Sequence, residues 1–67
     1  MKNTIKVQRA ILDITQEDLA KKIGVSRQTI NSIEKGRYIP STTLALKLSA
    51  TFEKTVNELF ELEEDEK

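Results

Sequence analysis

The chain of 67 residues contains neither cysteine nor histidine. Disulfide bonds are therefore excluded, as are zinc sites built from Cys and His side chains. The same absences remove the most common nucleophile and general base of enzymes, so we expect no catalytic activity and no cofactor. A core this small has marginal stability, and association with a second copy is the usual remaining support.

Long apolar runs are also missing. No stretch approaches the roughly 20 apolar residues that cross a bilayer, and the N-terminus does not have the pattern of a signal peptide. We therefore expect a cytoplasmic protein that does not contact membranes. With only two glycines and one proline, no flexible linker divides the sequence. Residues 1–67 are predicted to form one domain, and the acidic tail at about 61–67 is expected to fray.

Charge is balanced overall but divided unevenly along the chain. Residues 1–40 contain eight Lys or Arg and four Asp or Glu, which gives a net charge of +4. Residues 41–67 contain three Lys or Arg and seven Asp or Glu, which gives −4. Such a dipole allows the basic part to face phosphate while the acidic part points away. The alternative is that the charges only keep a small domain in solution.

Apolar periodicity and capping signals predict five helices and no long strand. Each helix after the first is predicted to begin at a hydroxyl side chain that accepts a backbone N–H. These residues are Thr15, Ser26, Ser41 and Thr55. Gly24 and Gly36 are predicted to end helices 2 and 3, because glycine adopts the left-handed conformation without strain.

The spacing of apolar residues predicts which face of each helix is buried. Helix 1, over about residues 5–12, is predicted to turn Ile5, Leu12 and either Ala10 or Ile11 inward. The inward residues predicted for the other helices are Leu19, Ala20, Ile23, Ile30, Ile33, Leu44, Ala45, Leu48, Phe52, Val56, Leu59 and Phe60. Because Ala20 is small and the connection after helix 2 is short, helices 2 and 3 are predicted to form a helix-turn-helix.

Helix 3 is polar on every face except the one that carries Ile30 and Ile33. No acidic residue occurs from Arg27 to Ser32, whereas a solvated helix usually mixes both signs of charge. In the DNA major groove, Arg pairs bidentately with guanine and Gln with adenine. The residues expected to contact bases are Arg27, Gln28, Thr29, Asn31 and Ser32. The alternative is an ordinary solvated surface helix.

Phosphate contacts are expected around the same helix. A residue at a helix N-terminus can offer backbone N–H to an anion, and the helix dipole assists. The residues expected to contact phosphate are Gln16, Ser26, Lys35, Arg37 and Tyr38. Glu34 is an exception in this basic setting, since an unpaired and partly buried carboxylate is costly. Arg9 on helix 1 is expected to be its ion-pair partner.

Three segments carry a resemblance to a known family: TQEDLA at residues 15–20, GVSRQTI at 24–30 and IEKG at 33–36. The chain resembles the Cro/phage-repressor type (XRE-like) helix-turn-helix family, and especially its short stand-alone regulators from bacteria and archaea. The resemblance covers about residues 5–60. It implies a compact all-α bundle of five helices, of the lambda-repressor-like DNA-binding type. It also implies homodimers that bind pseudopalindromic operators and act mostly as repressors.

The resemblance assigns roles to particular residues. It implies a phosphate contact at Gln16 and an ion pair between Arg9 and Glu34. The base contacts that it implies are Arg27, Gln28 and either Asn31 or Ser32.

Four positions depart from the family pattern. Gln8 replaces a core leucine, and Lys54 replaces an apolar residue. Asp13 and Glu53 replace glycines that follow helices 1 and 4. All four lie outside helix 3, so they concern the dimer surface and local stability rather than DNA binding.

The expected function is that of a sequence-specific regulator that binds double-stranded DNA as a homodimer, with helix 3 in the major groove. The expected dimer contacts are Phe52, Phe60, Leu62 and the exposed part of helix 5. Residues 2–4 are also expected to pair with residues 61–63 as a short β-ribbon. The alternative function is an antitoxin-type module that binds a small protein partner through its acidic tail and regulates its own operon.

Overall fold

Five α-helices form the body of the protein in the computed structural model, which describes all of residues 1–67. They are α1 (Ile5–Leu12), α2 (Gln16–Ile23), α3 (Arg27–Glu34), α4 (Thr42–Phe52) and α5 (Val56–Leu59). Strands β1 (Lys2–Asn3) and β2 (Phe60–Glu61) pair antiparallel and join the two ends of the chain. A single 3₁₀ turn, Glu64–Glu66, follows. The predicted five-helix bundle with a short terminal ribbon is thereby confirmed. The ribbon pairs residues 2–3 with residues 60–61, whereas the sequence predicted residues 2–4 with residues 61–63. None of the helices is long and apolar enough to cross a bilayer.

Hydroxyl side chains cap four of these helices at their N-termini. In each case the hydroxyl oxygen accepts the backbone N–H of the residue three positions later, as the sequence predicts. The capping residues are Thr15, Ser26, Ser41 and Thr55. At α2 and α5 the acidic side chain also reaches back: Asp18 accepts the N–H of Thr15 at 3.0 Å and Glu58 that of Thr55 at 2.9 Å. These hydrogen bonds lower the pKa of both carboxyl groups.

Four residues adopt left-handed backbone conformations, and each lies at or just after the end of a helix. Two are glycines, Gly24 with φ of 76° and Gly36 with φ of 74°. The other two are Asp13 with φ of 56° and Glu53 with φ of 54°. Asp13 and Glu53, two of the departures from the family pattern, thus have strained backbones. This conformation costs about 1–2 kcal/mol for a residue with a Cβ.

The hydrophobic core contains eleven buried residues, drawn from all five helices and from β2. They are Ile5, Leu19, Ala20, Ile23, Ile30, Ile33, Leu44, Leu48, Phe52, Leu59 and Phe60. Ala45 and Val56 pack against this cluster while remaining half-buried.

The predicted bounds of α1 are correct, but the prediction of its inner face was right only for Ile5. Leu12 is 48% exposed and Ile11 68% exposed, and Ala10 is exposed as well. The helix ends at Leu12, and left-handed Asp13 then turns the chain so that Ile14 packs against the core. The apolar contact expected from Leu12 is therefore supplied by a residue outside the helix.

The C-terminal segment differs from the prediction in two ways. Phe60 does not extend α5 but begins β2, because its backbone is extended to pair with Asn3. The acidic tail, predicted to fray, also makes contacts that were not predicted: the ammonium of Met1 lies 3.0 Å from Glu66 and 3.5 Å from Glu63. Pairing with these carboxylates raises the pKa of the ammonium and holds the 3₁₀ turn against the ribbon.

The ribbon is also connected to the helices. The backbone N–H of Thr4 donates to the carbonyl of Leu59 at 2.9 Å. The Nδ2 of Asn3 donates to the carbonyl oxygen of Ile33 at 2.8 Å. The N-terminal strand therefore contacts both α5 and the last turn of α3.

Candidate nucleic-acid interface

Helices α2 and α3 form a helix-turn-helix unit. Helix α2 ends at Gly24, whose N–H donates to the carbonyl of Ala20, and Ser26 caps α3 two residues later. Ala20 is only 2% exposed, so the two helices approach closely at this small residue. On the inner side Ile30 and Ile33 are fully buried, and this fixes which face of α3 points outward.

The outward face of α3 carries the residues that the sequence assigns to base contacts. Arg27 and Gln28 are exposed, whereas Thr29, Asn31 and Ser32 are half-buried. One shallow cleft brings several of the predicted base and phosphate residues together. Its lining consists of Ser26, Gln28, Thr29, Ser32, Arg37 and Tyr38. Candidate residues from α3 and from the loop after it therefore share one continuous surface.

A second shallow cleft lies at the N-terminal ends of α2 and α3. Arg27 and Gln16 both line it, together with residues of the turn between α1 and α2. Neither cleft is lined by Lys35, which is exposed near the end of α3, or by Asn31. The structure thus groups most of the candidate residues in two clefts along α3 and the loop after it, and leaves Asn31 and Lys35 outside both.

Hydroxyl groups at the start of α3 are already hydrogen-bonded to one another. The Oγ of Ser26 accepts the backbone N–H of Thr29 at 3.1 Å. The same oxygen lies 2.9 Å from the Oγ1 of Thr29. This pairing restricts the rotamers of both residues, so they present a fixed polar edge beside Gln28.

An ion pair links α1 to the last residue of α3. The Nε of Arg9 donates to Glu34 at 2.6 Å and its Nη2 donates to the other carboxylate oxygen at 3.1 Å. Hydrogen bonding to Glu34 raises the pKa of Arg9 further. The Glu34 side chain is only 6% exposed, so its charge is compensated by Arg9 before any DNA approaches.

Sequence reasoning missed a hydrogen-bond network that extends from this pair. The Nε2 of Gln16 donates to Glu34 at 3.0 Å and to the Oδ1 of Asn31 at 3.3 Å. Gln16 is the first residue of α2 and Glu34 the last of α3, so only the crossing of the two helices brings them together. The sequence offered the residue types but not their pairing.

Comparison with known proteins identifies the family. The helix-turn-helix family model matches residues 5–59. The chain belongs to the Cro/phage-repressor type of helix-turn-helix family. This is a family of DNA-binding transcriptional regulators and not of enzymes.

Three small relatives match this chain over almost its full length. An uncharacterized HTH-type transcriptional regulator of Methanocaldococcus jannaschii is 54% identical over 66 residues, which are 98% of this chain and 100% of the relative. A regulator of Bacillus subtilis with the same description is 46% identical, over 97% of this chain and 98% of its own. A third relative, an uncharacterized HTH-type transcriptional regulator of Archaeoglobus fulgidus, is 44% identical. The match covers 98% of this chain and 93% of the relative.

The electrostatics of this helix-turn-helix protein suit an anionic ligand at α3. The only acidic residue in the helix is Glu34, which Arg9 pairs. Lys35 and Arg37 follow directly and are exposed. At the N-terminus of α3 the unpaired backbone N–H groups and the helix dipole add partial positive charge.

Proposed function

We propose that the protein is a sequence-specific regulator that binds double-stranded DNA as a homodimer and represses transcription at pseudopalindromic operators. The observation that carries this proposal is the outward face of α3, which offers many hydrogen-bond donors while its one carboxylate is paired and buried beneath. A helix with that composition suits the major groove, where base edges and phosphates surround it. Access to operators implies action in the cytoplasm.

Base reading is assigned to the side chains of α3. Arg27, at its N-terminus, donates twice to the O6 and N7 of guanine, and Gln28 pairs bidentately with adenine. Thr29 and Ser32 supply shorter hydrogen-bond or methyl contacts in the same cleft. Asn31 lies one turn beyond Gln28 and reads a neighbouring base pair.

Phosphate binding is assigned to groups around the helix. Ser26 offers its backbone N–H at the cap of α3, and Lys35 and Arg37 contribute full positive charges. Tyr38 is half exposed and lies in the cleft beside Gln28, where its hydroxyl can donate to a phosphate oxygen. Gln16 contributes through its backbone N–H, which makes no hydrogen bond within the protein.

The dimer contact proposed here differs in part from the one predicted. Phe52 is only 7% exposed and serves the core of one copy, and Leu62, although 51% exposed, lies outside the groove proposed here. Phe60 and Val56 of α5 do line that groove, although Phe60 is only 8% exposed. Two more exposed apolar residues are Ile39, in the loop after α3, at 64% and Leu46, on α4, at 58%. They border this groove, which has no charged side chain in its lining, and the ammonium of Met1, which also lines it, is paired with Glu63 and Glu66. A largely apolar lining of this kind suits protein better than phosphate.

The size of the molecule supports direct contact between two copies. Its longest dimension is 32 Å. Adjacent major-groove sites on one side of DNA are about 34 Å apart. A molecule of this size is compatible with two copies that touch each other while their α3 helices enter adjacent major grooves.

The acidic tail gives no specific support to the antitoxin-type function. Glu63 and Glu66 already pair with the ammonium of Met1 within the same chain. A small protein partner would have to displace this contact. Co-purification with a second small protein remains the observation that would favour that function.

The DNA test begins with selection of bound duplexes from a random pool. The proposal expects one enriched site with two inverted half-sites, and absence of any enriched site refutes it. Gln28→Ala should then relax preference at one base pair and cost about 1–3 kcal/mol on the best site. Lys35→Ala should weaken binding to all sequences equally and reduce the salt slope by about one. Identical behaviour of these two variants contradicts the assigned roles.

The dimer test uses two exposed apolar residues on different surfaces. Leu46→Glu should shift the protein to monomers in sedimentation experiments and weaken binding to the inverted site, because it places a carboxylate in a largely apolar groove. Ile11→Glu is the matched control, since Ile11 is similarly exposed but lies on α1. If Ile11→Glu and not Leu46→Glu dissociates the dimer, the proposed interface is wrong.

A further inference from the structure

The outward face of α1 is apolar. Three exposed residues form it, and together we call them the α1 strip: Val7, Ala10 and Ile11. At 3.6 residues per turn they lie roughly 140–240° around the helix from Ile5, which is buried in the core. Val7 is 57% exposed and Ile11 68% exposed. Because the outward face of a surface helix is normally polar, the α1 strip is an apolar surface that the fold of one copy does not use.

A charged residue lies beside each end of the α1 strip. Lys6 is in the first turn of α1, and Asp13 follows the helix seven residues later. Seven residues are nearly two turns, so the two charges lie on the same side of the strip. Both residues are exposed, and neither takes part in an ion pair within the chain. Asp13 has its strained backbone, with φ of 56°, although no cation of its own chain pairs with it.

This arrangement of charges and apolar residues is self-complementary. A two-fold axis across the middle of the strip places two α1 helices antiparallel, so that Val7 of one copy faces Ile11 of the other. Lys6 of each copy then lies beside Asp13 of the other copy, at the negative end of that helix dipole. Ala10 lies near the axis and is small enough for the two helices to approach closely. One contact therefore buries the apolar strip and gives both unpaired charges a partner.

We infer that the α1 strip is a contact between two copies of this chain, paired antiparallel about a two-fold axis. No residue of the strip lines the groove near Ile39 and Leu46, so one copy can use both surfaces. The α1 contact therefore joins dimers that are paired through the groove into larger assemblies, which goes beyond the proposed function.

The size of the strip sets the strength of this contact. It offers three apolar side chains per copy, whereas a stable interface has roughly 20–30 residues on each side. We therefore expect a dissociation constant of roughly 0.1–1 mM in the free protein. Copies held side by side on one DNA molecule have a higher effective concentration, and there the contact forms more readily.

The first experiment is sedimentation of the Leu46→Glu variant at protein concentrations up to about 1 mM. This variant removes the groove contact, so the α1 contact should appear alone, as dimers that form with rising concentration. Adding Ile11→Glu should abolish them. Leu62→Glu is the matched control, since Leu62 is also an exposed apolar residue but lies outside the strip. No association of Leu46→Glu, or association that Ile11→Glu leaves unchanged, overturns the inference.

The same data separate this inference from the proposed groove dimer. If only the groove proposal fails, the wild-type protein and Leu46→Glu should show the same weak association, and Ile11→Glu should abolish it in both. If only the α1 inference fails, the wild-type protein should stop at dimers.

The second experiment tests the antiparallel arrangement by exchanging charges in the Leu46→Glu background. Lys6→Glu places like charges together and should weaken association about tenfold, as should Asp13→Lys. In an equal mixture of these two variants, each mixed pair has opposite charges at both contacts, so association should recover. Thermal unfolding verifies that each variant is folded, and Asp13→Asn, which tolerates the left-handed conformation, should also weaken association. A mixture of folded variants that does not recover overturns the arrangement.

The third experiment uses the absence of cysteine from the chain, because a single introduced thiol then reports on one position. Ala10→Cys lies near the two-fold axis and should give covalent dimers with a short thiol cross-linker. Ala50→Cys, the same change at an exposed residue of α4, should not. Equal cross-linking of both variants overturns the inference. None of these measurements uses DNA, so they remain decisive even if no duplex is ever selected.

Discussion

Glu53→Gly should stabilise the protein. Glu53 follows α4 with φ of 54°, a conformation that costs a side-chain-bearing residue about 1–2 kcal/mol. Glycine removes this strain. It also makes the unfolded chain more flexible, and this flexibility cancels about 0.5–1 kcal/mol of the stabilisation. The Glu53 side chain makes no hydrogen bond or ion pair that the change would remove. The net gain is about 0.5–1 kcal/mol, or roughly 3–6 °C in the midpoint of thermal unfolding for a domain of this size.

Helix signal during thermal and urea unfolding measures this gain, and two further variants isolate its cause. Glu53→Ala removes the carboxylate but keeps the Cβ, so it should change stability little. Asp13→Gly relieves the same backbone conformation after α1 but should gain less, because Asp tolerates it better than Glu. If Glu53→Gly is no more stable than Glu53→Ala, the strain assigned to φ is absent and the reasoning fails.

Three further predictions concern other parts of the fold. Gly24→Ala should destabilise by about 1 kcal/mol in urea unfolding; an added Cβ meets no atom within 4 Å, so only φ of 76° opposes it. Arg9→Met alone should lower the free energy of unfolding by about 3 kcal/mol, because it leaves the charge of Glu34 uncompensated. A double-mutant cycle with Glu34→Leu should show strong coupling between the two residues, and additive effects of the two changes would contradict the ion pair. Because the pKa of Asp18 is lower in the folded state, stability should fall as pH drops below about 4, and Asp18→Asn should weaken this dependence in unfolding experiments.

Local signals in the sequence were sufficient to predict the helices and the residues that cap them. Thr15 with Asp18, and Thr55 with Glu58, need only residues three positions apart to form a capping box. Both caps and the helix-turn-helix were therefore predictable. The inner face of α1 was not, because the chain reversal at Asp13 brings Ile14 to the core in place of Leu12.

Contacts between distant segments account for the remaining errors. The pairing of Glu63 and Glu66 with the ammonium of Met1 was missed, because it joins residues at opposite ends of the chain. Likewise, the sequence indicated the residue types of the DNA interface but not how they are oriented. The link from Glu34 through Gln16 to Asn31 depends on where two helices cross, which composition and spacing do not specify.

The pairing of β1 with β2 has a consequence for the order in which the protein folds and opens. Hydrogen exchange at a single backbone amide can measure it. Strands β1 and β2 are separated by almost the entire chain, so their closure requires a larger loss of chain entropy than any contact between neighbouring helices. The ribbon should therefore close last and open first. When it opens, Asn3 leaves the carbonyl of Ile33, and the final turn of α3 loses an anchor. Hydrogen exchange of the Thr4 amide, which is bound to Leu59, consequently reports how often that end of the helix is released.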